Sequence, residues 1–280
     1  MSNTNKSGNL LVEGKTKIVR THETNPNYVL VESKDDLTAG DGAKHDVVKS
    51  KGELATTTTC NVFAFLKRAG VPVAFDRRVG ATHFLAPKCC MLPYEVVVRR
   101  EAHGSILKRE HVLQKGDVFD ELRVEFFLKT NGKKWREYSL PCDDPLMFMS
   151  SKSIHLYLPS APLFYHKPIL VLDGDKDVFT MPNEVQLLSR MRDIARWTFQ
   201  VLENAWNEVS GKLVDFKIEF GISAVDGSLL VADVIDSDSW RVFVDGEHAD
   251  KQAYRDGADL DTVLDKYRLA AKLTSQFKIP

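Results

Sequence analysis

One short stretch of the chain, residues 213–241, concentrates ionisable side chains within an otherwise apolar pattern: LVDFKIEFGISAVDGSLLVADVIDSDSWR. If VDFKIEF forms a β-strand, Asp215, Lys217 and Glu219 project from one face, because successive side chains alternate across a strand. The intervening Phe216 and Ile218 then project from the other face. One face of this strand is predicted to be charged and the other apolar.

An Asp226-Gly227 pair predicts a hairpin turn that folds LLVADVID back beside this strand. To within one residue, that register puts Glu219 beside Asp233. Two carboxylates at similar height form a hard oxygen site suited to Mg²⁺ shared with phosphates, and Lys217 would neutralise the same phosphates. The alternative is a solvated face on which lysine and acids pair across the hairpin. Because the acidic run continues at once through Asp236 and Asp238, we favour the site.

A second candidate is EGKTKIVR, in which Lys15 and Lys17 would alternate onto one face of a strand. A strand of this kind could cover phosphates, although an ordinary exposed strand has the same pattern. The P-loop sequence pattern is absent from the chain.

Two further segments carry cations. In MLPYEVVVRREAHGS, an apolar strand leads to Arg99 and then breaks near Ser105, which offers a guanidinium and a hydroxyl to a phosphate. In DKQAYRD, Lys251 and Arg255 are four residues apart and share one helical face, which we place beside Arg241. Separate cationic clusters plus paired acids predict two phosphorylated ligands, one bound with a metal and one without.

The elements that position these residues are short strands over residues 10–100, interrupted by a helix from Lys51 to Gly70. Prolines make residues 130–182 irregular, so we predict surface loops there. Helical periodicity returns in NEVQLLSRMRDIARWTFQVLENAW, where Asn183 is the expected cap, and in DLDTVLDKYRLAAKL. This order predicts an α+β fold.

Composition limits the possible partners. The chain has 280 residues, enough for one two-lobed unit or two small domains, and 38 basic residues against 39 acidic ones. That balance gives no broad electrostatic footprint, so we expect no nucleic-acid or membrane partner. No apolar run approaches the ~18 residues of a membrane span. The four cysteines show no zinc-binding or C-x-x-C spacing, which indicates reduced thiols and a cytoplasmic protein.

Six motifs in order, EGKTK, TAGDGA, MLPYEVVVRR, LVDFKIEFG, ADVIDSDSWR and DKQAYRD, resemble the SAICAR synthetase family over nearly the whole chain. The form ADVIDSDSWR is similar to the synthetase half of the animal bifunctional enzyme. The resemblance implies a two-lobed α+β fold related to the ATP-grasp and protein-kinase folds, with ATP between the lobes. We expect an ATP-covering lobe at 1–100, a metal and ribonucleotide lobe at 101–280, and a homo-oligomer.

The resemblance also implies a reaction of purine biosynthesis. The carboxylate of carboxyaminoimidazole ribonucleotide (CAIR) is joined to the amine of L-aspartate, with ATP going to ADP and phosphate, through an acyl phosphate. The alternatives are an ATP-dependent kinase or ligase of the same fold with another acceptor, and a non-catalytic nucleotide-binding module. The family's carboxylase half is expected on a separate protein.

Residue by residue, the resemblance implies three groups. The catalytic group contains Lys217, Glu219 and Asp233, of which Glu219 and Asp233 are the magnesium ligands. The ATP group contains Lys15, Lys17, Met91, Glu95 and Lys217. The ribonucleotide group contains Arg99, Ser105, Asp238, Arg241, Lys251 and Arg255. Because FFLKTNGKKWREYSLPCDDP inserts residues between Lys129 and Asp144, the place of Asp144 in the site is left open.

Overall fold

The computed structural model describes residues 7–39, 43–130, 132–150, 153–163, 167–173 and 183–278. The helices of these ranges are α1 Lys51–Arg68, α2 Ile106–Arg109, α3 Glu184–Glu208, α4 Gln252–Arg255 and α5 Leu260–Thr274. The strands are β1 Ser7–Glu13, β2 Lys17–His22, β3 Tyr28–Ser33, β4 Asp36–Ala39, β5 Lys44–Val47, β6 Arg77–Arg78, β7 His83–Pro87, β8 Cys89–Glu101, β9 Val118–Leu128, β10 Lys134–Trp135, β11 Tyr138–Ser139, β12 Leu146–Met149, β13 Ser153–Tyr157, β14 Leu170–Asp173, β15 Gly211–Ser223, β16 Leu229–Ala232, β17 Trp240–Val244 and β18 Glu247–His248. Helices accompany antiparallel strand pairs, which confirms the α+β class.

The chain forms two compact units that alternate along the sequence. The first unit comprises Met1–Met91, Gln200–Leu213 and Gly221–Pro280, and the second comprises Leu92–Phe199 and Val214–Phe220. The strands β8 and β15 and the helix α3 therefore run from one unit into the other. The expected lobes assign ATP to residues 1–100 and the metal and ribonucleotide to residues 101–280. That assignment stays a prediction.

The first unit contains a sheet in the order β1-β2-β3-β7-β6, against which α1 packs. The predicted helix at Lys51 is confirmed: Val62 and Leu66 are fully buried, and the helix ends before Gly70, whose φ of 86° suits a glycine. At its start, the carboxylate of Asp35 accepts a hydrogen bond of 2.8 Å from the Gly52 N–H. A residue distant from the helix thus satisfies one of its first amide groups.

The second unit contains strands in the order β14-β13-β12-β9-β8-β15. The strands β8 and β9 pair antiparallel, with Glu95 opposite Phe127 and Val98 opposite Val124, and the register shifts after Arg99. The side chains of Val96 and Val98 are fully buried, as expected for the apolar strand predicted before Arg99. This sheet supplies a rigid support for the charged side chains at its surface.

The structure corrects two predictions of secondary structure. Residues 130–182 are not all loops, because β12, β13 and β14 extend the sheet of the second unit, and Pro145, Pro159 and Pro168 lie between the strands rather than within them. Pro182 lies outside the described residues. Lys15 does not share a strand face with Lys17, because it lies in the turn between β1 and β2, where the Gly14 N–H donates to the Lys17 carbonyl at 2.8 Å.

Both long C-terminal helices are confirmed. The Asn183 carbonyl accepts a hydrogen bond of 3.1 Å from the Leu187 N–H at the start of α3. The carboxylate of Asp259 caps α5 by accepting from the Thr262 N–H at 2.9 Å. None of the helices in the described ranges combines the length and apolar composition that a membrane crossing requires.

Candidate active site

The charged face predicted for VDFKIEF is present on β15. Phe216, Ile218 and Phe220 are buried, whereas Lys217 is exposed and Glu219 is half-buried on the opposite face. Alternation along the strand is therefore the physical reason that these two ionisable groups reach the surface side by side. The apolar residues between them hold the strand in the core.

Each of these two groups is paired within the second unit. The Lys217 ammonium lies 2.8 Å from a carboxylate oxygen of Glu95, which is on β8. The Glu219 carboxylate accepts a hydrogen bond of 2.6 Å from the Lys129 ammonium. Lys217 and Glu95, both assigned to ATP by the resemblance, are thus brought together, and Lys129 joins the site as a residue that the sequence analysis did not select.

Asp144 belongs to the same charged region. Its backbone φ is 46°, and a carboxylate oxygen accepts from the Thr130 N–H at 2.9 Å. Burial raises the pKa of Asp144, the negative charge of Glu95 adds to this increase, and Lys129 opposes it. The insertion before Asp144 therefore leaves its carboxylate within electrostatic range of Glu95 and Lys129. The left-handed backbone conformation is one that Asp adopts more readily than most residues.

Arg99 is buried and already surrounded by acceptors. Its guanidinium donates to Asp215 at 2.8 Å and to Glu125 at 2.7 Å, and the Ser105 hydroxyl lies 3.4 Å away. Glu125 also accepts a hydrogen bond from Arg109. Burial raises the pKa of Glu125, but the two arginines outweigh this and hold its pKa below the usual range. The assignment of Arg99 and Ser105 to the ribonucleotide stays a prediction.

In the first unit, Lys17 pairs with Asp233. The Lys17 ammonium donates to the Asp233 carboxylate, and Asp233 has a positive φ of 69° directly after β16. The turn before β16 is confirmed: the Ser223 N–H donates to the Ser228 carbonyl at 2.9 Å, and Asp226 accepts from the Ser228 N–H at 3.1 Å. Asp226 therefore serves the turn, as predicted.

Met91 lies near the position where β8 and β15 approach closely. A Cβ atom added at Gly221 would lie 2.6 Å from the Cβ of Cys89 and 3.2 Å from the sulfur of Met91. Only a glycine leaves room for this approach. The glycine of the motif LVDFKIEFG thus has a packing role, and the Met91 side chain remains 45% exposed.

Of the first-unit residues that the resemblance assigns to the ribonucleotide, Lys251 contacts Asp238. The Lys251 ammonium lies 3.5 Å from Asp238, and Tyr267 donates a hydrogen bond to the same carboxylate. Lys251 directly precedes the short helix α4, Arg255 is the last residue of that helix, and Arg255 interacts electrostatically with Lys251. The expected place of this pair beside Arg241 stays a prediction. Arg241 lies on β17, where it is half-buried.

The two expected magnesium ligands belong to different units, Glu219 to the second and Asp233 to the first. The predicted proximity of the two carboxylates across the hairpin therefore stays a prediction. Within the part of the chain that the structure describes, no cluster of three or more metal-binding side chains is present. Two carboxylates nevertheless fit Mg²⁺, because this ion takes one or two carboxylates and fills its other positions with water and substrate phosphates.

This chain is similar to known proteins over most of its length, well beyond the candidate site residues. The family model for SAICAR synthetase matches residues 10–139 and 175–272. A phosphoribosylaminoimidazole-succinocarboxamide synthase of Chloroflexus aurantiacus is 39% identical over 96% of this chain and 97% of its own length. The human bifunctional phosphoribosylaminoimidazole carboxylase/phosphoribosylaminoimidazole succinocarboxamide synthetase is 35% identical over 89% of this chain and 53% of its own length.

Solved structures give the same result for the fold. A phosphoribosylaminoimidazole-succinocarboxamide synthase of Ehrlichia chaffeensis superimposes with a TM-score of 0.76 at 25% identity, covering 97% of this chain and 100% of that one. A SAICAR synthetase in complex with ADP superimposes with a TM-score of 0.70 at 24% identity, covering 97% of this chain and 100% of that one. These matches confirm the resemblance inferred from the six motifs.

Proposed function

Because the chain belongs to the SAICAR synthetase family, ligases of purine biosynthesis, we propose that it joins CAIR and L-aspartate to give SAICAR, with ATP going to ADP and phosphate. The observation that carries this proposal is the relative at 39% identity, which covers 96% of this chain and bears the name of that synthase. The charged face of β15 supports it, because Lys217 and Glu219 are present at the surface with their acidic and basic neighbours.

The chemistry requires activation of a carboxylate, which is a poor acyl donor. An oxygen of the CAIR carboxylate attacks the γ-phosphorus of ATP, the bond to the β-phosphate oxygen breaks, and ADP leaves. The aspartate amine then attacks the acyl carbon, loses a proton and expels phosphate, which keeps one oxygen of the original carboxylate. The protein has little covalent work to do, so positioning and charge neutralisation supply the catalysis.

The residues divide the task by charge. Lys217 stabilises the transferred phosphoryl group, and Lys15 and Lys17 neutralise the other phosphates of ATP. Met91 and Glu95 lie along the adenine. In the ribonucleotide group, the cations Arg99, Arg241, Lys251 and Arg255 bind anionic groups of CAIR, with Lys251 at its phosphate, and Ser105 and Asp238 bind its polar groups.

Two carboxylates, Glu219 and Asp233, would hold Mg²⁺. The ion would neutralise charge on the phosphates of ATP. Each carboxylate pairs with a lysine, Lys129 for Glu219 and Lys17 for Asp233.

Substrate omission tests the proposal. The purified protein is incubated with MgATP, CAIR and L-aspartate, and each substrate is left out in turn while ADP and SAICAR are measured. The proposal predicts SAICAR only when all three are present. If CAIR carries ¹⁸O in its carboxylate, the acyl phosphate predicts that one labelled oxygen appears in the released phosphate. Phosphate without label would refute the acyl phosphate.

The second candidate is a kinase or ligase of the same fold with another acceptor. Its specific sign is ADP release at full rate when CAIR is omitted.

The cytoplasm is the proposed location, supported by the four cysteines, which are all free thiols. A homo-oligomer is the proposed assembly, and light scattering during size exclusion measures its mass against the 31.6 kDa of one chain.

A further inference from the structure

Lys51 is a buried cation that none of the six motifs contains. It is the first residue of α1, and only 1% of it is exposed. Both features are unfavourable for a lysine, because burial penalises an ammonium and the N-terminal end of a helix dipole repels it. A specific partner must therefore hold Lys51 in place.

That partner is Asp238. The Lys51 ammonium lies 3.4 Å from one carboxylate oxygen of Asp238, and Tyr267 donates to the other oxygen. The Lys51 ammonium also lies 5.7 Å from the centre of the Tyr267 ring. Burial lowers the pKa of Lys51, but the charges of Asp238 and Asp236 outweigh this and raise it. Lys51 therefore stays charged.

Asp236 completes this buried cluster. It is 4% exposed, and one of its carboxylate oxygens accepts a hydrogen bond of 2.9 Å from the Asp238 N–H. Burial raises the pKa of Asp236, and the neighbouring charge of Asp238 adds to the increase. For Asp238, burial acts in the same direction, but Lys51 and Lys251 outweigh it and hold its pKa well below the usual range. Asp238 is thus the carboxylate that the two lysines hold in its ionised form.

The two lysines on Asp238 differ in accessibility. Lys251 lies 3.5 Å from the same carboxylate oxygen as Lys51, but the exposed fraction of its side chain is 10%, against 2% for Lys51. Burial lowers the pKa of Lys251, and Asp238 does not offset this. One oxygen thus has two cations, of which Lys51 is enclosed and Lys251 lies nearer to solvent beside Arg255.

We propose that Lys51, supported by Tyr267, is a positioning residue that keeps the charge of Asp238 neutralised. The Lys251 side chain can then swing away from Asp238, so that its ammonium binds the phosphate of the ribonucleotide. The inference rests on the proposed function, which assigns Lys251 to that phosphate. Without Lys51, departure of Lys251 would leave the Asp238 carboxylate, whose side chain is only 17% exposed, with no cation, and such a loss is destabilising. Lys51 thus makes Lys251 available to the substrate.

The test compares Lys51→Met with Lys49→Met, which removes an exposed lysine two residues earlier. In Lys51→Met, Lys251 is retained by Asp238, so the KM for CAIR rises roughly ten- to a hundredfold, the scale of one charge-assisted hydrogen bond. The kcat at saturating CAIR and the KM for ATP stay within about threefold of wild type on the same reasoning. Lys51→Arg restores part of the affinity, because it keeps the cation, and Lys49→Met leaves all constants unchanged.

Binding of ribose 5-phosphate, measured by calorimetry, separates this inference from the reaction itself. This titration needs neither ATP nor aspartate. If the protein forms no SAICAR, the proposed function is refuted, but the titration still measures whether Lys51 makes Lys251 available to a phosphate. The inference predicts weaker binding in Lys51→Met and in Lys251→Met than in wild type. Tyr267→Phe keeps the ring and removes one hydrogen bond, and it is the second variant if Lys51→Met does not fold. The inference predicts a smaller loss of ribose 5-phosphate affinity for Tyr267→Phe.

Three outcomes overturn the inference. Wild-type affinity for ribose 5-phosphate in both Lys51→Met and Tyr267→Phe shows that the availability of Lys251 does not depend on them. Equal losses for CAIR and ATP show a general structural defect rather than a role at one substrate. If the wild-type protein does not bind ribose 5-phosphate, the assignment of Lys251 to the substrate phosphate is refuted.

Discussion

Replacement of Lys217 by methionine separates catalysis from stability, because the side chain is exposed yet assigned to the reacting phosphate. The Lys217 side chain is 49% exposed, and its ion pair with Glu95 spans 2.8 Å. A solvent-screened pair of this kind contributes about 0–1 kcal/mol. The midpoint of thermal unfolding should therefore fall by no more than about 4 °C.

The expected loss of turnover is much larger. One preorganised donor to a developing negative charge contributes on the order of 10²–10³ in kcat. Lys217→Met should therefore lower kcat by that factor in the assay of ADP and SAICAR. The matched control is Lys212→Met, an exposed lysine on the same strand, which should retain kcat within about twofold.

Two results would refute this reasoning. If Lys217→Met keeps more than about a tenth of the wild-type kcat, the ammonium is not a donor to the transferred phosphoryl group. If the unfolding midpoint falls by more than about 10 °C, Lys217 is a structural residue and its exposure has been misjudged.

Three further predictions follow from the charges and burial of single residues. Arg241→Ala should raise the KM for CAIR roughly ten- to a hundredfold, and wild-type kinetics would remove Arg241 from the site. Burial, with the adjacent charge of Asp46, raises the pKa of Tyr254 to about 12, so its contribution to stability is complete below the unfolded value of about 10 and is lost as pH rises through the folded value. Urea unfolding between pH 9 and 12 should therefore show a steeper decline in wild type than in Tyr254→Phe, and equal slopes would contradict this. Burial also raises the pKa of the Cys60 thiol to about 12, so iodoacetamide at pH 8 should label the exposed Cys90 and leave Cys60 unmodified in the folded protein, as mass spectrometry would show.

The parts of the site that the sequence predicted are those set by local periodicity. Alternation along β15 predicted that Lys217 and Glu219 would face away from Phe216 and Phe220, and the Asp226-Gly227 pair predicted the turn. Strand alternation and turn chemistry depend on neighbouring residues, so one sequence suffices for them.

Contacts between distant segments were not accessible in this way. Lys51 and Tyr267 meet Asp238 across 187 and 29 residues of sequence respectively, and Lys129 meets Glu219 across 90. No spacing rule relates such positions. The one available signal was Lys51 itself, since a lysine at the first position of a helix opposes the dipole and indicates a tertiary partner.

The prolines misled the prediction for a different reason. Prolines predict loops in this segment, but Pro145 lies before β12 and Pro168 lies before β14, each outside the strand that follows it. A proline at the beginning of a strand removes no hydrogen bond from the sheet. The positions of these prolines relative to the strands, rather than their number, decide the structure of the segment.

The proposed reaction consumes one ATP for each amide bond formed between CAIR and L-aspartate. Its most direct test is the ratio of ADP to SAICAR, measured by chromatography of a single reaction that contains MgATP, CAIR and L-aspartate. The account predicts a ratio of one, with no SAICAR when aspartate is omitted. ADP that accumulates at an unchanged rate without CAIR or aspartate, with no SAICAR formed, would contradict it.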